Sequence, residues 1–172
     1  VNLSGAQFMD NQLNEILSAC AKEYNVPPEF INLEITETAS IEIGEMLEYN
    51  MKRLKECRFR FSMDDFGTGY SSLNMLKMTC IDILKIDKSF IPLEEECKDK
   101  NKDCIMFENI AHLAKELGVM VVAEGVETKK QYEYLKHMGC DIIQGYYFDK
   151  PLVQDEFQIG RASCRERVYC RV

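Results

Sequence analysis

The chain has 172 residues, 46% of them apolar, and a formal net charge of −8. Such a length and apolar share suit one domain with a core of its own, and the acidity argues against a nucleic-acid polymer as the main partner. No window approaches the roughly 20 apolar residues that a membrane-spanning helix needs.

Val1 to Ser4 reads as the end of a strand. Leu13, Ile16, Leu17 and Cys20 then fall at helical spacing, and Pro27-Pro28 closes that helix. Phe30 to Glu37 is a predicted strand, and Ile43, Leu47, Met51 and Leu54 mark the next helix. Phe59, Phe61 and Met63 alternate with Arg60, Ser62 and Asp64, the period of a two-faced strand. That strand runs into Asp64-Asp65, a loop with Gly67 and Gly69, and a short helix around Ser72 to Leu76. Ile81 to Asp87 is a strand, and Pro92 to Asp103 a charged, solvated loop. Ile105, Ile110, Leu113 and Leu117 predict a helix stopped by Gly118, followed by a strand over Val119 to Val126. Thr128 and Gln131 form a capping box for a helix ending at Gly139. Asp141 to Tyr147 is the last predicted strand.

The eight cysteines form no C-x₂-C pair and meet only two histidines, so neither a zinc site nor a disulfide framework is expected. Cys20 and Cys57 sit on apolar positions of helix patterns, where a thiol behaves as a small hydrophobe. A reducing cytoplasm is the expected compartment. Ile159 to Val172 breaks the composition: it carries +3, which leaves −11 on the preceding 158 residues. This string resembles the translation of a sequencing adapter, and the domain is expected to end at Gln158, with 159–172 a non-native tail.

Strand and helix alternate six times, implying a parallel sheet with right-handed crossovers. Each predicted strand carries a metal-binding or catalytic residue type at its C-terminal end: Asn2, Glu34, Asp64 with Asp65, Lys85 with Asp87, Glu124 with Glu127, and Gln144. Singly, each has a plain structural alternative. Asp64-Asp65 could be a solvated turn, Asn2 a helix cap, Glu34 or Glu37 a solvent-facing acid, and Lys85–Asp87 a structural bridge. The same placement at six successive strands favours a β/α barrel, in which the C-terminal strand ends share one mouth. An open doubly wound sheet would spread them along a line and usually carry a Gly-rich phosphate loop, which is not seen. Two neighbouring aspartates repel, and a cation between them removes that cost. Oxygen ligands favour Mg²⁺ or Mn²⁺, and a pair of such ions can screen a phosphodiester and activate water.

Six motifs in order carry a resemblance: Asn2-Leu3-Ser4, Leu33-Glu34-Ile35-Thr36-Glu37, Asp64-Asp65-Phe66-Gly67-Thr68-Gly69-Tyr70-Ser71-Ser72, Leu84-Lys85-Ile86-Asp87, Ala123-Glu124-Gly125-Val126-Glu127-Thr128 and Gln144 to Pro151. The chain resembles EAL domains, bacterial cyclic-di-GMP phosphodiesterases with a modified TIM-type (β/α) barrel. The resemblance implies hydrolysis of cyclic-di-GMP to linear pGpG with two Mg²⁺ or Mn²⁺ ions. By it, Asn2, Glu34, Asp64, Asp65 and Glu124 match metal ligands, with Asp64 shared by both ions. Glu124 also matches the general base, and Lys85 the lysine that holds the attacking water. Glu127 and Gln144 match the metal and water shell. Glu37 matches the residue that steadies the loop Asp65, Phe66, Gly67, Thr68, Gly69, Tyr70, Ser71 and Ser72, which affects the second metal and dimer contacts; Asp87 belongs with this structural support. A homodimer through the domain and attached sensory or GGDEF domains upstream are also implied. The Glu-Ala-Leu motif would lie before Val1, so about six of eight barrel strands are expected here, and the chain alone is expected to be inactive. A cyclic-di-GMP receptor without catalysis is the alternative, and another Mg²⁺-dependent barrel enzyme a third reading.

Overall fold

The computed structural model describes residues 1–36, 44–66, 76, 80–91, 102–151, 153 and 170–171. It divides into two compact units, Val1–Lys85 with Leu117–Val119, and Ile86–Glu116 with Met120–Val172.

In the first unit the order is β1 (Asn2–Leu3), α1 (Gly5–Phe8), α2 (Leu13–Glu23), a 3₁₀ turn at Pro28–Phe30, β2 (Asn32–Thr36), α3 (Gly44–Glu56), β3 (Arg60–Phe66) and β4 (Ile83–Ile86), whose last residue belongs to the second unit. The strands lie side by side in chain order. β1 and β2 are parallel with Asn2 opposite Glu34, and β2 and β3 are parallel with Glu34 opposite Ser62 and Thr36 opposite Asp64. Period-two alternation sorts the side chains. Leu33, Ile35, Phe61 and Met63 are fully buried, whereas Glu34 and Asp64 point to the other face and stay partly accessible. Helix α3 packs against α1 and α2 and buries Leu47, Met51 and Leu54 as its spacing predicts. On α2 the buried stripe is rotated: Leu13 and Ala21 face inward while Ile16 and Cys20 are exposed. Leu13, from the expected stripe, thus stays inside, while Ala21 takes the inward place at the far end of the helix.

The second unit holds a 3₁₀ turn at Lys88–Phe90, α4 (Lys102–Glu116), β5 (Met120–Ala123), α5 (Lys129–His137), β6 (Ile142–Ile143) and β7 (Cys170–Arg171). β5 and β6 are parallel, with Val122 opposite Ile142. β7, from the segment expected to be foreign, runs antiparallel to β6 with Ile143 opposite Cys170. An open sheet edge offers unpaired N–H and C=O groups to any extended segment. α4 buries Cys104, Phe107, Ala111 and Ala114, whereas Ile105, Leu113 and Leu117, expected in the core, are exposed. Two alanines and a cysteine let the helix approach β5 closely, and Phe107 meets Tyr134 with ring centroids 6.2 Å apart. The strands are shorter than their apolar runs: β5 stops at Ala123 and β6 at Ile143, leaving Glu124–Glu127 and Gln144–Phe148 as strand-end loops.

Two devices recur at the strand starts. Three helices end in a left-handed residue with paired closing hydrogen bonds. Asn25 (φ 51°), Arg58 (φ 71°) and Gly139 (φ 72°) are followed by Val26, Phe59 and Cys140, whose N–H groups donate to Ala21, Leu54 and Leu135 carbonyls. Arg58 is the poor fit, since a Cβ disfavours that region. Arg58→Gly should therefore raise unfolding free energy by about 0.5–1 kcal/mol, readable by urea titration; an unchanged or lower midpoint would contradict it.

The second device is an aspartate one residue before a strand. Asp82 accepts the Phe61 N–H through Oδ2 at 2.8 Å and donates its own N–H to the Phe61 carbonyl at 3.0 Å. Asp141 does the same to Val121, at 2.8 and 3.1 Å. Lys55 pairs with the Asp82 carboxylate.

Cys140, beside Asp141, is buried. Burial, then the Asp141 charge, pushes its thiol from an ordinary 9.0 up to about 12, with Lys115 opposing. Its folded pKa exceeds its unfolded one, so the stabilisation is complete below pH 9 and lost as pH rises toward 12. Unfolding free energy should decline across that window, and Cys140→Ala should flatten the decline. A wild-type slope retained in the variant would refute the assignment.

Candidate active site

In the first unit two carboxylates and one ammonium come together at neighbouring strand ends. Lys85 Nζ lies 3.0 Å from Asp64 Oδ1 and 3.3 Å from Glu34 Oε1. The reason is register. Glu34 is the third residue of β2, Asp64 the fifth of β3 and Lys85 the third of β4, all on the face opposite the buried leucine, isoleucine, phenylalanine and methionine side chains. Asn2 faces the same way, directly opposite Glu34. Beneath them, Asn32 Nδ2 donates to Ser62 Oγ at 2.8 Å, and the buried Asn32 Oδ1 has no hydrogen-bond partner among the described residues. Nothing in the sequence marks this polar pair, since an Asn and a Ser on neighbouring strands carry no motif until the register brings them together.

Asp65 does not continue the row. Its φ of 54° is left-handed, a region that aspartate tolerates better than most residues, and its side chain is exposed. Phe66 is buried and anchors the end of β3. Glu37 and Gly67, Thr68, Gly69, Tyr70, Ser71 and Ser72 lie outside the described residues, as does the charged loop 92–101.

In the second unit Glu124 is half-buried directly after β5, and its N–H donates to the Ile86 carbonyl at 3.0 Å. Glu127 is exposed, with its N–H donating to Gln131 Oε1 at 2.9 Å. The capping box is as expected: Gln131 Oε1 also accepts from the Thr128 N–H, and Thr128 Oγ1 from the Gln131 N–H at 3.2 Å. Gln144 is exposed and holds the loops through its main chain. Asp87 caps the 3₁₀ turn, accepting the Ser89 N–H at 2.9 Å. Burial pushes its pKa upward, but the hydrogen bonds from Ser89 and Lys88 and the Lys88 charge outweigh it and leave the carboxyl below its usual range.

The donor chemistry suits a hard divalent cation: Glu34 and Asp64 are carboxylates sharing one cationic partner, and Asn2 adds an amide oxygen on the same face. Among the described residues no group of three or more His, Cys, Asp or Glu side chains is gathered tightly enough to hold an ion.

Residues 1–151 match the sequence profile described as EAL domain. The chain belongs to the EAL-domain family. The cyclic-di-GMP phosphodiesterase RocR of Pseudomonas aeruginosa is 35% identical over 156 residues, which cover 91% of this chain and 39% of that protein. Among solved structures, the EAL domain of Mycobacterium smegmatis DcpA superposes with a TM-score of 0.85 at 33% identity, covering 96% of this chain and 73% of that one. Klebsiella pneumoniae BlrP1, solved as a calcium and cyclic-di-GMP complex, matches with a TM-score of 0.77 at 27% identity, over 87% of this chain and 38% of that one. The fold class is therefore α/β, that of the EAL domain's TIM-like barrel. The chain spans about a fifth to two fifths of the length of the first curated relatives it matches. EAL phosphodiesterases depend on metal in general. No helix among the described residues is long and apolar enough to cross a membrane.

Proposed function

We propose that this chain is the catalytic part of a phosphodiesterase that hydrolyses cyclic-di-GMP to linear pGpG using two Mg²⁺ or Mn²⁺ ions. The observation that carries the proposal is the Glu34–Lys85–Asp64 constellation at the ends of adjacent parallel strands, within a chain belonging to a family with named cyclic-di-GMP phosphodiesterases.

Asn2, Glu34, Asp64 and Asp65 would hold the cations through oxygen, with Glu124 as a further ligand. When bound, the cations screen the anionic phosphodiester and make a nearby water more acidic. Glu124, half-buried directly after β5, would serve as general base toward a water. Lys85 would contribute positive charge at the phosphate, and Glu34 and Asp64 hold its ammonium in place. Glu127 and Gln144 complete the water shell, and Asp87 supports the loop after β4. A homodimer, attached sensory or GGDEF domains, and a cytoplasmic setting complete the reading. Residues 159–172 are read as outside the domain, which the end of the family match at residue 151 supports.

The test is release of linear dinucleotide from cyclic-di-GMP by the purified full-length protein, with Mn²⁺, with Mg²⁺ and with excess chelator. Hydrolysis that requires the cation is expected. Tight binding of cyclic-di-GMP with no release under any condition would replace the enzyme by the receptor.

A further inference from the structure

We propose that Gly145 is a positioning residue for Glu124 and Glu127, because its missing side chain lets two strand-end loops lock together through their backbones. A Cβ placed on Gly145 would fall inside the contact envelopes of Val126 N and Val126 O, and would lie 2.7 Å from the Val126 carbonyl carbon. All three neighbours are main chain, so no rotamer change relieves the overlap. One loop must move.

What would move is specific. The Val126 N–H donates to the Gln144 carbonyl at 3.1 Å, and the Tyr147 N–H to the Val126 carbonyl at 2.9 Å. The Gln144 N–H donates to the Ala123 carbonyl at 2.8 Å. Residues 123–126 and 144–147 are thus stitched on both sides of the close approach. Val126 is fully buried between the two acids, so a displacement of its peptide carries Glu124 and Glu127 with it. Gly125, one residue away, is a different case. Its φ of 71° demands glycine for backbone reasons, and the atoms a Cβ would meet there belong to the Lys88 side chain, which can yield. Tyr147 stacks on Tyr132 of α5 and Phe148 meets the same ring edge-on, with centroids 5.6 Å away in each case, which resists any compensating shift of the second loop. A displacement of about 1 Å in a reacting group can cost about a hundredfold in rate.

The inference rests on the phosphodiesterase reading above, and its test separates the two. In the full-length protein, Gly145→Ala should lower kcat about a hundredfold while KM for cyclic-di-GMP moves less than about threefold. Amide exchange should show lost protection at Val126 and Tyr147, with Gln144 less affected. Gly118→Ala is the control for a purely structural cost: Gly118 is left-handed (φ 72°), with nothing within 4 Å of an added Cβ. It should lower the melting temperature and leave kcat unchanged. Gly145→Ala retaining kcat within about threefold, in a folded protein, overturns the inference. Where that variant fails to fold, wild-type exchange decides. Equal opening rates at Val126, Gln144 and Tyr147 support the lock, and Tyr147 opening about a hundredfold faster than Gln144 refutes it. Absence of dinucleotide release by the wild type would defeat the enzyme reading alone, since the exchange measurement still judges the lock.

Discussion

Asp64→Asn should abolish cation-dependent hydrolysis, with a loss of at least about a thousandfold in kcat. The substitution keeps size and shape and removes one negative charge from the pair that shares Lys85. An amide oxygen is a weaker donor to a divalent cation, and an Asn NH₂ turned toward Lys85 would repel the ammonium. The balance between Glu34 and Asp64 would then shift toward Glu34, drawing the ammonium toward β2 and away from the phosphate. The fold should be indifferent, because Asp64 stands at the end of β3 with part of its side chain in solvent. The measurement is linear dinucleotide release across a Mn²⁺ titration, beside a thermal melt of the same preparation. Normal turnover by a folded variant would remove Asp64 from the cation site.

The largest effect on stability is expected from Phe61→Ala, about 3–5 kcal/mol, a large part of the ~5–15 kcal/mol that holds an ordinary domain together. Phe61 has no exposed surface, and its main chain is the partner of the Asp82 clamp. Truncation therefore leaves a cavity in the strand that leads to Asp64. Phe30→Ala makes the comparison, since Phe30 is 80% exposed and its loss should stay within about 0.5 kcal/mol. Urea midpoints for both variants measure the difference. A Phe61→Ala protein as stable as Phe30→Ala would mean that β3 is not part of the core.

Much of this was legible in the residues, for reasons tied to particular positions. Alternation in Phe61-Ser62-Met63-Asp64 gave the two faces of β3, because a period of two admits only one inward set. The row Glu34, Asp64 and Lys85 followed from strand ends. The faces of α2 and α4 were harder. Ala21 on α2 and Ala111 and Ala114 on α4 lie inside, although a hydrophobicity pattern weights alanine below Ile16 or Leu113. Strand ends at Ala123 and Ile143 were also hidden, because apolar Val126, buried, and Tyr147, half-buried, extend the run into the loops. Gly145 gave no signal of its own. A glycine after a strand is unremarkable until the opposing main chain is known.

The repeated aspartate clamp has a consequence for how the chain could be rearranged. Asp82 and Asp141 each take both main-chain groups of one residue in the preceding strand, so each pair of strands carries its own alignment mark. A slip of one residue would turn Asp64 to the opposite face, and the clamp three residues earlier makes that slip cost a charged hydrogen bond. Each strand pair therefore behaves as a keyed module. Grafts, permuted chains or copies exchanging segments should keep their strand ends correctly oriented when the cut falls between clamped pairs, and should scramble them when it falls inside one.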